Sequence, residues 1–372
     1  MKKIIIAPDS FKGSLSSQEV IDIISEKAKR FFPQARIVGI PVADGGEGTV
    51  SALCGGETVT VAVFGPLGEK VDARYGFLGE TAVMEMAAAS GLPLVPEGKR
   101  DPRNTSSFGT GQMILDAVEK GVRSIVIGIG GSATNDGGMG ALRAFGVRFL
   151  DEHGSELTGM GADLAKVQSI DASGLDARLK ECDIRVMCDV TNPLTGTNGA
   201  TYIYGPQKGG EGRVLDELEK GMKNYEKVMA KAFGVDTKTP GAGAAGGLGT
   251  ALLAVGGKLV RGIDAVLDLK NFDAELAGCD LVVTGEGRFD SQSLGFGKVI
   301  SGIIARAEKR NVPVAVVAGS VLGDVDGLFA HNASVIACVD RPMLLEEAME
   351  NAAQNLENAA ARMFGFLSMG RR

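Results

Sequence analysis

The sequence is poor in the side chains that carry several common chemistries. It has no Trp and only two His, His153 and His331, which stand far apart in the chain. This scarcity disfavours a zinc site built on histidines and a Ser-His-Asp catalytic triad. The five Cys include no C-x-x-C pair, which favours a reduced, cytoplasmic location.

Long apolar runs and an excess of basic charge are also missing. The apolar run at residues 4–7 is too short for a signal peptide, and no run approaches the roughly 20 residues of a membrane helix. The net charge of −7 argues against a general nucleic-acid surface. We therefore expect neither a membrane nor a nucleic acid among the partners of this chain.

Two signatures of phosphoryl transfer are absent as well. The sequence contains no G-x-x-x-x-G-K-[ST] motif, and neither H-R-D nor D-F-G occurs. A kinase with this sequence would belong to neither the P-loop nor the protein-kinase class.

Short apolar strands alternate with helices in the first and last parts of the chain. The pattern predicts strands at 3–7, 36–42, 281–284, 314–318 and 334–338, and helices at 17–32, 46–53, 298–309 and 343–362. Such alternation favours a parallel sheet covered on both faces. The middle of the chain differs, because strands at 59–63, 70–77 and 82–85 follow one another directly and indicate a partly antiparallel sheet.

The first predicted strand delivers a cation and hydroxyls into one short turn. Its loop carries Asp9, Ser10, Lys12 and Ser14, and Ser16 with Glu19 forms a capping box that opens the next helix. A helix N-terminus of this kind favours anions. A solvated Lys in an ordinary turn is the alternative interpretation.

Other predicted strands of the same sheet end in comparable loops. Because ligands bind outside the carboxyl ends of parallel strands, we expect these loops to share one rim. They carry Asp44, Gly45, Gly46 and Glu47 after the second strand, Gly285, Glu286, Gly287, Arg288 and Asp290 after the third, and Gly319 with Ser320 after the fourth; Lys298 opens the following helix.

The middle of the chain adds two strand-end loops. One holds Gly130, Gly131, Ser132, Thr134, Asn135 and Asp136, and the other holds Asp189 and Asn192. Glycines expose backbone N–H groups to an anion, and a carboxylate such as Asp189 can take a proton or hold a metal. Residues 128–133 with Asp151 also fit a nicotinamide-binding spacing, and tight helix–strand packing is the alternative interpretation. Lys208 is interpreted as a solvated loop residue.

Four segments together resemble the bacterial glycerate kinases of the first structural class. They are residues 7–16, 41–49, 130–138 and 284–290, in order along the whole chain. The resemblance implies a flavodoxin-like parallel-sheet domain, formed by 1–55 and 275–372, interrupted by a second α/β domain with a mixed sheet at 56–274. It places the active-site cleft between the two domains. It also implies ATP-dependent phosphorylation of D-glycerate with Mg²⁺, and in this class the 2-hydroxyl is the expected acceptor.

The roles that follow are hypotheses. Lys12 neutralises a phosphate with help from Ser10 and Ser14, Asp189 is the base, and Arg288 binds the glycerate carboxylate or the transferring phosphoryl group. The remaining candidates are the metal ligands Asp44, Glu286 and Asp290, and the binding residues Asp9, Gly45, Gly46, Gly130, Gly131, Ser132, Thr134, Asn135, Asp136, Asn192, Gly285, Gly287 and Lys298.

Several alternatives stay open at this level. A nicotinamide-dependent hydroxy-acid dehydrogenase and a non-catalytic sugar-acid sensor are the rival functions. The sequence does not assign the nucleotide and glycerate to particular loops, and it fits a monomer or a homodimer.

Overall fold

The computed structural model describes residues 1–43, 45–46, 48–290, 298–323 and 325–369. The strands of this part are β1 Lys3–Ile6, β2 Arg36–Gly39, β3 Thr58–Phe64, β4 Lys70–Leu78, β5 Thr81–Glu85, β6 Ser124–Gly128, β7 Arg148–Leu150, β8 Ser169–Asp171, β9 Asp183–Met187, β10 Lys258–Val260, β11 Leu281–Phe289, β12 Val314–Val321 and β13 Ala333–Ala337.

The α-helices of the described chain are connected to these strands by turns and loops. They are α1 Ser17–Phe31, α2 Thr49–Cys54, α3 Ala87–Ser90, α4 Phe108–Glu119, α5 Met139–Ala144, α6 Ala200–Tyr204, α7 Arg213–Phe233, α8 Ala244–Ala254, α9 Gly262–Leu269, α10 Phe272–Glu275, α11 Val299–Glu308, α12 Asp326–Phe329, α13 Leu345–Glu350 and α14 Ala352–Met369. Short 3₁₀ turns lie at Leu92–Leu94, Glu97–Lys99, Gly161–Lys166, Ala177–Glu181 and Pro206–Lys208.

The described residues divide into two compact units. Unit 1 lies within 1–44 and 263–372, and unit 2 lies within 45–262. The sequence placed helix α2 with the first segment, but the structure places it in unit 2. There the N–H of Val50 donates to Oε1 of Glu85 at 2.8 Å. Helix α9 belongs to unit 1, where Ile263 lies directly against Gly302.

Unit 1 is built on a fully parallel sheet. Its strand order is β2-β1-β11-β12-β13, with every neighbouring pair parallel. This is the order of the flavodoxin-like fold, whose ligands bind where the winding direction reverses, beside the first strand. The predicted fold class is confirmed.

Unit 2 carries the mixed sheet that the sequence predicted. Strands β5, β6, β9 and β10 run parallel, and β3 and β4 complete the sheet by antiparallel pairing. Its core includes the fully buried Tyr75, Met113, Phe149 and Leu248.

The first helix forms for the reason the sequence suggested. Oγ of Ser16 accepts from the N–H of Glu19, and the Glu19 carboxylate accepts from the N–H of Ser16 at 2.8 Å. Hydrogen bonding to Ser16 lowers the pKa of Glu19. The buried face of α1 packs against α14, where the rings of Phe32 and Phe364 meet edge to face. One predicted helix at 343–362 is in fact two, because the chain leaves the helical conformation at Asn351.

Candidate functional site

A cavity of about 640 Å³ lies in unit 1 at the carboxyl end of its sheet. It gathers three of the segments that the sequence interpreted as strand-end loops, namely the loop after β1 and the carboxyl ends of β11 and β12. The polar residues that line it are Asp9, Ser10, Lys12, Ser14, Glu286, Arg288, Lys298, Ser320 and Asn355. The expectation that separate strand ends converge on one rim is met for these three segments.

The β1 loop is held against β11 by backbone and side-chain bonds. The N–H of Asp9 donates to the carbonyl of Gly285 at 2.9 Å, and the Thr284 hydroxyl donates to the carbonyl of Ala7 at 2.8 Å. These bonds extend the pairing of β1 and β11 past the end of the strand. Asp9 and Glu286 are both half-buried and both line the cavity.

The turn at residues 11–15 presents Lys12 to solvent. The N–H of Phe11 donates to the carbonyl of Leu15 at 2.8 Å, and the Ser14 hydroxyl donates to the carbonyl of Phe11 at 3.0 Å. Gly13 has φ of +81°, a conformation that favours glycine. The turn is thus closed by its own backbone, and the Lys12 side chain is left exposed at the cavity.

Residues 285–288 are not a loop, which corrects the sequence interpretation. They continue β11 to Phe289 and pair with β12, so Arg288 lies opposite Ser320. Glycine is required here because the two strands approach closely. A Cβ at Gly319 would lie 2.3 Å from the carbonyl oxygen of Gly287.

The charged residues at the end of β11 form a partly exposed pair. Nε of Arg288 lies 3.7 Å from Oδ2 of Asp290, and the Arg288 side chain is largely exposed. Asp290 is not among the residues that line the cavity, whereas Glu286 is. Asp44, the third predicted metal ligand, lies outside the described residues, as does Glu47.

Two predicted glycine loops meet inside unit 2. A Cβ at Gly128 would lie 2.3 Å from the carbonyl oxygen of Gly45, and one at Gly130 would lie 3.8 Å from Cα of Gly46. Gly130 and Gly131 are exposed, whereas Ser132, Thr134, Asn135 and Asp136 are buried. Backbone groups at 130–131 are therefore the accessible part of this loop.

Asp136 has a structural position in the interior of unit 2. Its carboxylate accepts from the N–H and hydroxyl of Ser107, both at 2.7 Å, and from the N–H groups of Gly138 and Gly140. Burial nevertheless raises its pKa. These bonds join the start of α4 to the start of α5. Nδ2 of Asn135 donates to the Thr201 hydroxyl at 3.2 Å.

Lys208 is buried, which corrects its interpretation as a solvated loop residue. Its side chain is 1% exposed, and Nζ donates to the carbonyl of Thr134 at 2.6 Å. Burial lowers its pKa to about 7, although the nearby Asp136 favours the charged form. The flanking glycines had indicated a surface loop, and no local sequence signal marked this lysine as buried.

Asp189 and Asn192 lie beyond the end of β9. Oδ1 of Asp189 accepts from the N–H of Gly262 at 2.9 Å, and the side chain is half-buried. The Asn192 amide is engaged at both ends, since it donates to the carbonyl of Asn198 and accepts from the Tyr204 hydroxyl at 2.6 Å. Asn192 therefore organises its own loop.

The literal G-x-G-x-x-G stretch at 241–246 is a packing element. A Cβ at Gly246 would lie 2.0 Å from the carbonyl oxygen of Thr134, and one at Gly243 would lie 2.1 Å from that of Pro193. Both glycines are buried. Close packing therefore accounts for the glycines of this stretch.

Part of the cavity wall in unit 1 was missed by sequence reasoning. Leu345, Ala348 and Met349 of α13, and Ala352 and Asn355 of α14, line it. The amphipathic pattern of this segment indicated only a helix that covers the sheet.

No described helix is long and apolar enough to cross a membrane.

Comparisons with known proteins agree across the whole chain. A model of the glycerate kinase family matches residues 4–368. The chain is 48% identical to "Glycerate 2-kinase" of Escherichia coli, covering 100% of this chain and 99% of that protein, and 47% identical to "Glycerate kinase" of Bacillus subtilis, covering 96% of each. A crystal structure assigned as glycerate kinase 2 from Salmonella typhimurium LT2 superposes with a TM-score of 0.89 at 44% identity, covering both chains fully. Given matches that run from the first strand to the last helix, the chain belongs to the glycerate kinase family.

Proposed function

We propose that the chain transfers the γ-phosphoryl group of ATP to the 2-hydroxyl of D-glycerate and releases 2-phosphoglycerate. Family membership and the names of its relatives support glycerate as the acceptor. The observation that carries the proposal is the cavity of unit 1, where cations, carboxylates and hydroxyls meet at the carboxyl edge of a parallel sheet. Phosphoryl transfer needs such positioning and charge neutralisation more than covalent chemistry.

The cations of the cavity suit a polyphosphate. Lys12, Arg288 and Lys298 supply positive charge from three different elements, and all three are exposed to an incoming ligand. Because the chain as a whole is acidic, these local cations offset its repulsion of a nucleotide. Ser10 and Ser14 add hydroxyls that can donate to phosphate oxygens.

The carboxylates suit a magnesium ion that is shared with phosphates. Asp9 and Glu286 line the cavity, and Mg²⁺ commonly takes one or two carboxylates and completes its shell with water and phosphate oxygens. Within the described ranges, no group of three His, Cys, Asp or Glu side chains could hold a metal by itself. Asp9 and Glu286 would hold the ion, which supplies charge neutralisation, and Asp290 instead orients Arg288.

Asp189 remains the candidate base. Its hydrogen bond from Gly262 fixes one carboxylate oxygen in position, and a carboxylate held in this way can take the proton of the acceptor hydroxyl. This assignment, like the active-site cleft expected between the two domains, stays a prediction from the sequence.

The dehydrogenase alternative loses its main support. Residues 128–133 do not open a helix, since α5 begins only at Met139. A dinucleotide fingerprint places its glycines directly at a helix N-terminus, where the pyrophosphate is bound. The sensor alternative differs from an enzyme only in turnover.

An ADP-release assay across small hydroxy acids tests the proposal. The protein is incubated with ATP, Mg²⁺ and each acid, and the product is identified by phosphorus NMR. We expect ADP release with D-glycerate and a resonance coupled to the C2 proton. Turnover of NAD(H), or ligand binding without ADP release, would overturn the proposal, and a product phosphorylated at the 3-hydroxyl would overturn its regiochemistry.

A further inference from the structure

The cavity of unit 1 is lined by two chemically different sets of residues. The charged set includes Lys12, Arg288 and Lys298, as described above. The apolar set, here called the apolar wall, consists of Val321, Leu322, Val339, Leu345, Ala348, Met349 and Ala352. Glycerate, a small and fully polar acid, offers no surface that would match such a wall.

The apolar wall begins directly beside the cation-bearing turn. A Cβ at Gly13 would lie 2.7 Å from the methyl carbon of Met349, so that the Met349 side chain lies over the turn that presents Lys12. A ligand that reaches from Lys12 across Met349 would be polyanionic at one end and apolar in its body. The cavity volume of about 640 Å³ falls in the usual range of sites for cofactor-sized ligands.

A nearly buried amide lies in the same wall. Asn355 is 8% exposed, and the contacts of its Nδ2 among the described residues are long, 3.5 Å to the carbonyl of Ala348 and 3.8 Å to the sulfur of Met343. Buried amides normally make shorter hydrogen bonds. An amide presents a donor and an acceptor side by side, which is the pattern that pairs with the N6 and N7 edge of adenine.

We propose that this apolar wall binds the nucleobase of the phosphoryl donor, with Met349 and Leu345 against the face of the base and Asn355 hydrogen-bonded to its edge. The inference rests on the proposed function and deepens it. It assigns the nucleotide to unit 1 by the segment at 345–355, which none of the sequence motifs includes. The triphosphate then extends toward Lys12.

Direct binding measurements separate this proposal from the activity. Calorimetry on the full chain compares Mg·ATP, adenosine and inorganic tripolyphosphate as probes. Asn355→Leu removes the amide, Met349→Ala removes the surface against the base, and Asn358→Leu makes the same change as the first at an exposed position of the same helix. A thermal melt checks that each variant is folded.

We expect the wild type to bind ATP more tightly than tripolyphosphate. Adenosine, which carries no phosphate, should also bind. Asn355→Leu should weaken the binding of ATP and of adenosine about 10-fold, since a buried hydrogen bond to the edge of the base is lost. It should leave the affinity for tripolyphosphate unchanged. Met349→Ala should weaken the binding of both ATP and adenosine several-fold. Asn358→Leu should match wild type. If Asn355→Leu does not fold, Met349→Ala decides, because Met349 is 37% exposed and its truncation spares the core.

Two results would overturn the proposal. One is equal affinity of the wild type for ATP and tripolyphosphate. The other is unchanged ATP and adenosine binding in both Met349→Ala and a folded Asn355→Leu. If glycerate is not phosphorylated but the variants lose nucleoside affinity as expected, the nucleobase site stands and the proposed function fails.

Discussion

The ammonium group of Lys208 donates a 2.6 Å hydrogen bond to the backbone carbonyl of Thr134 in the interior of unit 2. This contact joins the 3₁₀ turn at Pro206–Lys208 to the glycine-rich loop that follows β6. Burial lowers the Lys208 pKa to about 7, against 10.5 for the ordinary group.

The first prediction concerns stability against pH. Between pH about 7 and 10.5 the unfolded chain holds a proton on Lys208 that the folded chain has lost, so the free energy of unfolding rises with pH in this window. The contribution is at most about 1.4 kcal/mol per pH unit. Lys208→Met should remove it, and Lys309→Met at an exposed position should not. Denaturant titrations at several pH values measure the slopes, and equal slopes for wild type and Lys208→Met would contradict the burial argument.

Lys12→Ala should lose activity and remain folded, because the side chain is exposed and the turn is closed by backbone bonds. Removing a cation that acts on the transferring group should lower kcat by at least roughly 100-fold. Lys29→Ala, an exposed lysine at the other end of α1, is the matched control. A near-normal rate for Lys12→Ala would show that Lys12 is only a solvated residue.

The metal assignment predicts that activity requires Mg²⁺ and depends on its concentration. Excess chelator should abolish turnover, and Glu286→Gln should raise the Mg²⁺ concentration that gives half-maximal activity, since one anionic ligand is lost. Asp290→Asn should change that concentration much less, because Asp290 pairs with Arg288. Full turnover in chelator, or equal effects of the two variants, would contradict the assignment.

Asp189→Asn should impair chemistry more than binding. The amide oxygen can still accept from the N–H of Gly262, so the end of β9 keeps its position while the charge and basicity are lost. We expect kcat to fall roughly 100- to 10,000-fold, with a much smaller change in glycerate affinity. Asp183→Asn, at the exposed first residue of β9, is the control. Wild-type turnover in Asp189→Asn would reduce Asp189 to a structural acceptor.

The close approach of β11 and β12 predicts a stability effect. Gly319→Ala places a Cβ 2.3 Å from the carbonyl oxygen of Gly287, which the sheet cannot avoid without shifting. We expect a loss of about 1–3 kcal/mol in the free energy of unfolding. Gly98→Ala, where the added Cβ meets no atom within 4 Å, should be nearly neutral. Similar denaturation midpoints for the two variants would contradict the close packing.

Much of the fold was readable because its signals are local. The apolar run before Asp9 and the Ser16–Glu19 capping box define β1 and α1 within a few residues, and both are present as predicted. The alternation of strands and helices likewise predicted the parallel sheet. These features depend on neighbouring residues along the chain, which is the information that a single sequence holds.

Other features had no local signal. Gly285, Gly287 and Gly319 suggested loops, yet they lie within paired strands, because glycine serves close strand approach as well as turns. Lys208 was interpreted as a solvated loop residue, yet segments distant in sequence bury its side chain. Asn355 lies in a segment that was predicted only as a helix, yet it lines the cavity.

The sequence by itself determined the alternation of strands and helices in the first and last parts of the chain, the turn after β1, and the family. Tertiary structure decided which loops share a cavity, which glycines are packing contacts, and which polar side chains are withdrawn from solvent. The physical reason is that burial and proximity depend on segments far apart in the chain: Asp9 meets Glu286 at one cavity only because β1 pairs with β11, and no short pattern encodes that pairing.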